Sequence, residues 1–310
     1  MIKALMLHFV KHEREAENFG SMPFASAEDV MDLISSLGAR DLLATRTDFE
    51  LEIANGFSEV SEKYVLTFDD GYLDHYRIFD QIQASFDVAM TFFVTGCTVF
   101  GEQLLVNKIQ YFVIFFEGDW SRVNEMLNDF ILKEALFTIE QMREFDDELN
   151  SDPSYDSYLV VRFKRYLQRM TPTKKAFQFL NHLEEFFFRS TVAKERRTLF
   201  WENLYMNKAQ LQKMSERGAY IGYHSWSHRH LTNLSKQELR AEVTMPSWWS
   251  WSKMFCYPYG TYDDTVVQQI ANSGYSAAFT VDHGICSFKS DIYKLPRVDI
   301  REALTAKNGG

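Results

Sequence analysis

The chain has 310 residues, 46% hydrophobic and 25% charged, as is typical of a soluble globular protein of one or two domains. Its 33 basic and 43 acidic residues give a formal net charge of −10, which argues against a nucleic-acid partner. Three scattered cysteines are too few for a disulfide framework or a cysteine zinc site. Neither a transmembrane segment nor a signal peptide is recognisable, so we expect a cytoplasmic protein.

The first hundred residues alternate between strand and helix patterns. Short apolar runs predict strands at Ile2–Val10, Tyr64–Phe68 and Val88–Val94. Helical spacing predicts helices over 28–37 and 72–85. The order strand, helix, strand, helix, strand indicates a parallel sheet with crossover helices.

The same rhythm returns near residue 202, after a segment of different character. Between about 101 and 201 the sequence shows aromatic-rich helical patterns without strand alternation. We therefore predict one domain over 1–310 with a helical insertion at 101–201. The aromatic side chains of the insertion fit core packing, a lid, the face of a homo-oligomer or a membrane-surface contact.

The later strands are predicted at Tyr220–Tyr223, Phe255–Tyr257 and Ala277–Val281. The last apolar–polar stretch is Tyr293–Ile300, where Pro296 favours an edge strand or a loop because proline cannot donate to a strand ladder.

Two adjacent carboxylates, Asp69 and Asp70, follow the second predicted strand directly and precede Gly71. Active sites of parallel α/β folds lie at the carboxyl ends of strands, so these side chains are candidates for chemistry. Adjacent residues point in different directions, which permits two separate roles. An ordinary Asp-Gly turn is the structural alternative.

Two histidines, His224 and His228, follow another predicted strand with the spacing i, i+4. Together with a strand-end carboxylate they form a set of two histidines and one carboxylate, which leaves positions open on a bound metal. Hydrolysis needs such an open position for water. Chance spacing of histidines is the alternative.

A third segment places Tyr257, Pro258, Tyr259 and Gly260 after a strand. Proline and glycine fix a sharp turn that can aim a main-chain N–H into a cleft. A rigid turn with packed tyrosines is the structural alternative.

In this order, Thr-Phe-Asp-Asp-Gly-Tyr, His-Ser-Trp-Ser-His and Tyr-Pro-Tyr-Gly resemble the motifs of the polysaccharide deacetylases with NodB homology, carbohydrate esterase family four. The resemblance covers about 1–100 and 202–300. It implies an α/β fold, a distorted (β/α) TIM-like barrel of about seven strands, with a divalent metal at the strand carboxyl ends. Zinc is the expected ion, with Co²⁺, Ni²⁺ and Mn²⁺ as alternatives.

The resemblance also implies roles for individual residues. Asp70, His224 and His228 correspond to the metal ligands, and Asp69 to the general base. The main-chain N–H of Tyr259 corresponds to the oxyanion donor. We further expect Tyr257, Pro258 and Trp226 to contact the substrate.

Two positions depart from the more familiar family pattern. No histidine follows His283 to serve as the general acid, but His8 matches the acid strand of rearranged members in which that strand comes first. Familiar members have an arginine at the position of Cys256, and Arg297 resembles its replacement as the partner of Asp69. Arg297 could also serve as a brace near the site. A buried strand histidine and a surface or interdomain ion pair are the respective structural alternatives.

The resemblance implies a hydrolase that removes an N-acetyl group from an amino sugar of a glycan or of its nucleotide- or lipid-linked precursor. Hydrolysis of a cyclic amide or imide by the same fold is an alternative within the enzyme class. A non-catalytic sugar-binding protein is the alternative outside it.

Overall fold

A computed structural model describes residues 1–12, 25–58, 62–149, 156–170 and 173–308. The described residues form two compact units, which we call the barrel unit (within 1–102 and 202–308) and the helical unit (within 103–201). The strands are β1 (Ile2–Leu7), β2 (Val10–Lys11), β3 (Ala25–Ser26), β4 (Lys63–Phe68), β5 (Met90–Val94), β6 (Tyr220–Tyr223), β7 (Met254–Cys256), β8 (Ala277–His283) and β9 (Leu295–Asp299). The helices of the barrel unit are α1 (Ala27–Ala39), α2 (Arg46–Asn55), α3 (Leu73–Ser85), α10 (Lys208–Glu216), α11 (Lys236–Val243), α12 (Asp264–Asn272) and α13 (Ile300–Asn308). Those spanning the helical unit are α4 (Leu105–Phe115), α5 (Trp120–Lys133), α6 (Ile139–Leu149), α7 (Tyr158–Arg169), α8 (Thr173–Phe187) and α9 (Thr191–Glu202).

Seven of the described strands close into a parallel barrel. The order is β1-β4-β5-β6-β7-β8-β9, and β9 pairs with β1 to complete the circle. The short strands β2 and β3 form a separate parallel pair. The predicted α/β barrel of about seven strands is confirmed. Because all seven strands run in one direction, the segments that follow them meet at one end of the barrel.

Both faces of the barrel wall are buried, so side-chain direction alternates between two cores. On β4, Val65 belongs to a cluster with Phe93 and Phe279, whereas Leu66 and Phe68 pack with the apolar faces of α1 and α3. The period of two continues past the strand. Thr67 and Asp69 share one face, since the guanidinium of one arginine contacts both.

Local sequence signals fix several helix starts. Ser26 accepts a hydrogen bond from the main-chain N–H of Asp29 at the start of α1. Asn207 and Ser235 form capping boxes at α10 and α11. The apolar pattern does not predict α2, because Phe49 is the one buried residue of this helix. A capping box at its first turn stabilises the start of the helix instead.

The prediction for Pro296 is wrong, because β9 is not an edge strand. It lies between β8 and β1 inside the closed barrel. The pairing of β8 with β9 shifts register between Phe279 and His283. Proline is tolerated within a sheet at such irregularities, where its missing N–H does not break a regular ladder.

The helical unit has its own core, built from aromatic and aliphatic residues such as Phe112, Leu127, Phe163 and Leu180. This agrees with the helical patterns predicted for the segment. Within it, Lys108 and Glu184 form an ion pair of 3.1 Å, and both side chains are nearly inaccessible to solvent. No helix among the described residues has the length and apolarity needed to cross a bilayer.

We expect Lys108→Met to destabilise the helical unit by about 3 kcal/mol, because it leaves the Glu184 carboxylate buried beside less compensating charge. The double variant Lys108→Met/Glu184→Met should recover most of this loss. Urea unfolding followed by circular dichroism measures both effects.

The matched control is Arg169→Met, which removes an exposed partner of Glu148 in the same unit. Surface pairs contribute little, so this variant should unfold almost as the parent does. If the control and Lys108→Met lowered the free energy of unfolding equally, burial of the ion pair would not be the cause of the destabilisation.

Candidate metal and catalytic site

The closed barrel brings the motif residues together at the carboxyl ends of its strands. His8 follows β1, Asp69 and Asp70 follow β4, and His224 follows β6. Tyr259 lies in a short 3₁₀ turn, Pro258–Gly260, after β7. Residues that are more than 200 positions apart in the sequence therefore share one site.

Asp70, His224 and His228 form a compact, buried group with one ligand atom each within 4.8 Å of the others. The Nε2 atoms of His224 and His228 lie 3.5 and 3.1 Å from the same oxygen of Asp70, Oδ1. That oxygen is buried and has no hydrogen-bond partner in the described part of the chain. One unsatisfied carboxylate oxygen and two imidazoles are a donor set suited to zinc.

The protonation of His224 supports the same assignment. Its Nδ1 lies 2.7 Å from the carbonyl oxygen of Cys256, which can only accept, so Nδ1 holds the hydrogen. Nε2 then points at a carboxylate oxygen. A positive charge between these two atoms, either a proton or a metal ion in its place, satisfies both, so these residues fit a bound metal ion.

The charges around the group are also those of a cation site. Burial opposes ionisation of Asp70, but the two histidines hold the pKa of its carboxyl well below the usual range. Burial likewise disfavours a charged His224, yet Cys256 and Asp70 raise its pKa well above the usual range. The pocket thus attracts positive charge.

The loop that presents the histidines is held by specific bonds. Ser225 Oγ accepts the main-chain N–H of His228 at 3.0 Å. The carboxylate of Glu242, on α11, accepts the N–H and the hydroxyl of Ser227 at 2.8 and 2.5 Å. Glu242 is a supporting residue that spacing alone does not identify.

The backbone is strained at this site. Asp70, Ser225, His228 and Tyr259 have φ between 56° and 73°, in the left-handed region that residues with a Cβ rarely adopt. Gly71 also has positive φ, and a Cβ there would lie 2.9 Å from Val94. Such strain persists where surrounding structure enforces it, often at functional sites.

Asp69 has a different partner from Asp70. Arg297, fully buried on β9, donates two hydrogen bonds to the Asp69 carboxylate at 2.8 and 2.7 Å. The same guanidinium donates to the carbonyl of Thr280 at 2.7 Å. Cys256 lies beside the pair, with its Sγ 3.1 Å from Arg297 and 3.7 Å from Asp69. Arg297 therefore contacts Asp69 directly, as expected for a residue that replaces the arginine found at the position of Cys256 in familiar family members.

This pairing separates the two carboxylates electrostatically. Burial alone would raise the pKa of Asp69, but the charge and hydrogen bonds of Arg297 lower it to about 2. Asp69, His224 and Cys256 also lie close enough to hold an ion. The guanidinium bound to two of them disfavours a cation there, which leaves the Asp70 group as the better metal site.

His8 lies beside Asp69, and its side chain is partly exposed. Its Nε2 is 3.7 Å from Asp69 Oδ2, and its side chain is 46% exposed. This exposure disagrees with the structural alternative for His8, a buried strand histidine. A solvent-facing imidazole beside Asp69 can reach a bound molecule.

Tyr259 contacts the metal group from the loop after β7. Its ring lies 4.5 Å from that of His228 and stacks on His230 at 3.9 Å. His230 thereby braces the turn. Trp226 is half-buried, with its ring against Gly96, and Pro258 is buried.

The expectation for Tyr257 needs correction. Its ring is buried in the barrel core against Phe255, and its hydroxyl donates to the carbonyl of Tyr293 at 2.8 Å. Residues alternate in direction along the strand, so Tyr257 points away from the face that holds Cys256. Tyr257 is a packing residue.

The comparisons with known proteins agree with this geometry. A family model described as "Polysaccharide deacetylase" matches residues 172–278, about a third of the chain. No curated protein sequence matches. The structure of the Streptococcus pyogenes deacetylase PplD in complex with acetate is similar, with 14% identity, coverage of 96% of this chain and 91% of that one, and a TM-score of 0.55.

Two further structures cover nearly the whole chain with weaker superposition. BC0361, a polysaccharide deacetylase from Bacillus cereus, has 12% identity, coverage of 98% and 68%, and a TM-score of 0.48. IcaB from Ammonifex degensii has 13% identity, coverage of 99% and 96%, and a TM-score of 0.47.

Fold and site define a parallel barrel with a strand-end group able to hold a cation. The family match over 172–278 includes His224, His228 and the turn at Tyr259, and the similarity to PplD supports the barrel fold.

We expect Arg297→Met to destabilise the metal-free protein by roughly 3–5 kcal/mol near neutral pH, because it leaves Asp69 buried and unpaired. The loss should shrink as the pH falls. The folded-state pKa of Asp69, about 2, is below its ordinary value of 3.8, so the pair stabilises above 3.8 and this contribution disappears towards pH 2. Urea unfolding at pH 7 and near pH 3, with metal removed beforehand, measures the difference.

Arg301→Met is the matched control, since it removes a guanidinium from the more exposed Asp299. It should cost much less. A loss for Arg297→Met that is small at pH 7, or that grows on acidification, would contradict the assignment of a tightly paired, ionised Asp69.

Proposed function

We propose that this chain is a metal-dependent hydrolase that removes an N-acetyl group from an amino sugar of a glycan or of its nucleotide- or lipid-linked precursor. Asp70, His224 and His228 would hold the ion, and zinc suits their donor set best. When bound, such an ion lowers the pKa of a water molecule and polarises the amide carbonyl.

The residues around this ion position supply the proton transfers. Asp69 accepts the proton of the attacking water, and Arg297 keeps the carboxylate ionised and oriented for that task. Because Arg297 takes both oxygens of Asp69 in a forked contact, the base cannot rotate towards the cation. The two carboxylates thus keep separate roles.

The other steps fall to Tyr259 and His8. The main-chain N–H of Tyr259 donates to the oxygen on which negative charge develops. His8 gives a proton to the nitrogen of the sugar amine as the carbon–nitrogen bond breaks. Its exposure and its 3.7 Å distance from Asp69 are consistent with that position. Pro258 and Trp226 remain candidates for substrate contact.

The observation that supports this proposal most is the unequal environment of two neighbouring carboxylates. Asp70 has an oxygen without a hydrogen-bond partner facing two imidazoles, whereas both oxygens of Asp69 are bound by a guanidinium. A sugar-binding protein without catalysis has no use for such a distinction.

We also propose that 101–201 is an insertion into one deacetylase domain. The strands on either side of it, β5 and β6, pair directly in the barrel, with Thr91 opposite Tyr220. The barrel is therefore continuous across the point of insertion.

The test is acetate release from N-acetylglucosamine oligosaccharides, measured together with metal content. Asp70→Ala should lose both zinc and turnover. Asp69→Asn should keep about one zinc per chain and lose turnover by roughly 10²–10⁴-fold, the usual contribution of a general base. Inductively coupled plasma mass spectrometry and an acetate assay measure the two quantities.

His182→Gln is the control, because that exposed histidine lies in the helical unit. It should leave metal and turnover unchanged. Stoichiometric zinc without acetate release from any N-acetylated sugar would favour a sugar-binding protein. Full turnover in Asp69→Asn would refute the choice of base.

A further inference from the structure

The main chain around His8 leaves the barrel through a short bend. β1 ends at Leu7, His8 and Phe9 form the bend, and Val10 starts β2. On one side, the carbonyl of Phe9 accepts the N–H of Ala25 at 3.1 Å. The orientation of the His8 side chain depends on what holds the other side of this bend.

Two consecutive residues of helix α3, Asp74 and His75, hold that other side. A carboxyl oxygen of Asp74, Oδ2, accepts the N–H of Val10 at 2.7 Å. The Nε2 of His75 lies 2.5 Å from the carbonyl oxygen of His8. Their contacts fall at both ends of the segment from His8 to Val10, so they restrain the bend as a unit.

The chemistry of His75 requires it to be the donor in this contact. A carbonyl oxygen only accepts, so Nε2 has the hydrogen. The side chain is fully buried, which lowers its pKa to about 4, so the ring is neutral. Its Nδ1 has no hydrogen-bond partner within the described residues.

A buried imidazole with one unsatisfied nitrogen costs stability compared with an apolar residue of similar size. His75 packs among the aromatic rings of Phe68, Tyr72 and Phe92, where such a residue would fit. What an apolar residue could not do is donate to the carbonyl of His8. The contact with His8 is thus the specific property of this histidine.

We propose that Asp74 and His75 are positioning residues that fix the main chain of His8 so that its imidazole stays beside Asp69. They begin four residues after Asp70 on the same turn and helix, so one segment sets the base, a metal ligand and the acid. The inference rests on the proposed function of His8 as the proton donor to the leaving amine.

A positioning role of Asp74 and His75 can be measured from how the rate of hydrolysis depends on the leaving group. Cleavage of a sugar amide needs one proton delivered to nitrogen as the bond to the acyl carbon breaks. Cleavage of 4-nitrophenyl acetate releases a stable phenolate and needs no such proton. A misplaced acid therefore slows the amide and not the ester, whereas general damage to the site slows both.

The experiment compares kcat/KM for an N-acetylglucosamine oligosaccharide and for 4-nitrophenyl acetate in the zinc-loaded full chain. Asp74→Ala and His75→Leu should lower the amide value roughly ten- to a hundredfold, with the ester value within about twofold of the parent. Asp74→Asn and His75→Gln retain an acceptor and an Nε2 donor and should recover most of the amide activity. Asp80→Asn, at a half-exposed position on the same helix that pairs with Arg217 and not with the bend, is the control.

His8→Ala separates failure of this inference from failure of the proposed function. If it lowers the amide value selectively while the Asp74 and His75 variants do not, the positioning role is refuted and the acid stands. If His8→Ala shows no selectivity, both the acid and the positioning role are refuted. Parallel loss on both substrates in Asp74→Ala and His75→Leu also overturns the inference, since it indicates a purely structural role.

Discussion

The site depends on keeping two adjacent carboxylates in different electrostatic states. Asp69 points to the barrel interior, where Arg297 occupies both of its oxygens. Asp70, with positive φ, turns instead towards two imidazoles. If both carboxylates faced the same cation, neither would remain free to accept a proton. The side-chain alternation of β4, continued into a strained turn, produces this separation.

Sequence motifs predicted the parts of the structure that depend on local chemistry. Strand-end carboxylates, the histidine pair and the capping boxes all follow from residue type and short spacing. The pairing of Arg297 with Asp69 joins residues 228 positions apart, and only the family resemblance suggested it. The barrel closure that places β9 beside β1 was not evident from Pro296, whose usual edge preference is overruled by a register shift.

Other residues could not be assigned because their roles depend on three-dimensional direction. Tyr257 belongs to the same motif as Tyr259, yet alternation turns its ring into the core. Asp74 and His75 look like ordinary helix residues until the bend at His8 is seen beside them. Glu242 is likewise recognised only from its bonds to Ser227. Long-range placement, not composition, decides these roles.

The buried charges also explain why the site is costly to build. Arg297 and Asp69 lie out of contact with water, and removal of either partner leaves the other uncompensated. Four residues with positive φ add strain at the same place. The packing of the closed barrel offsets the destabilisation that these features cause. Cys256, small and uncharged when its thiol is protonated, leaves room for the guanidinium that arrives from β9.

The most direct measurement is an anomalous difference map at the zinc edge from crystals grown with zinc. The account predicts a single strong peak about 2.0–2.2 Å from one oxygen of Asp70 and from the Nε2 atoms of His224 and His228. Asp69 should remain bound to Arg297 in the same crystal. A peak that bridges both carboxylates, or no peak among these side chains, would contradict the account.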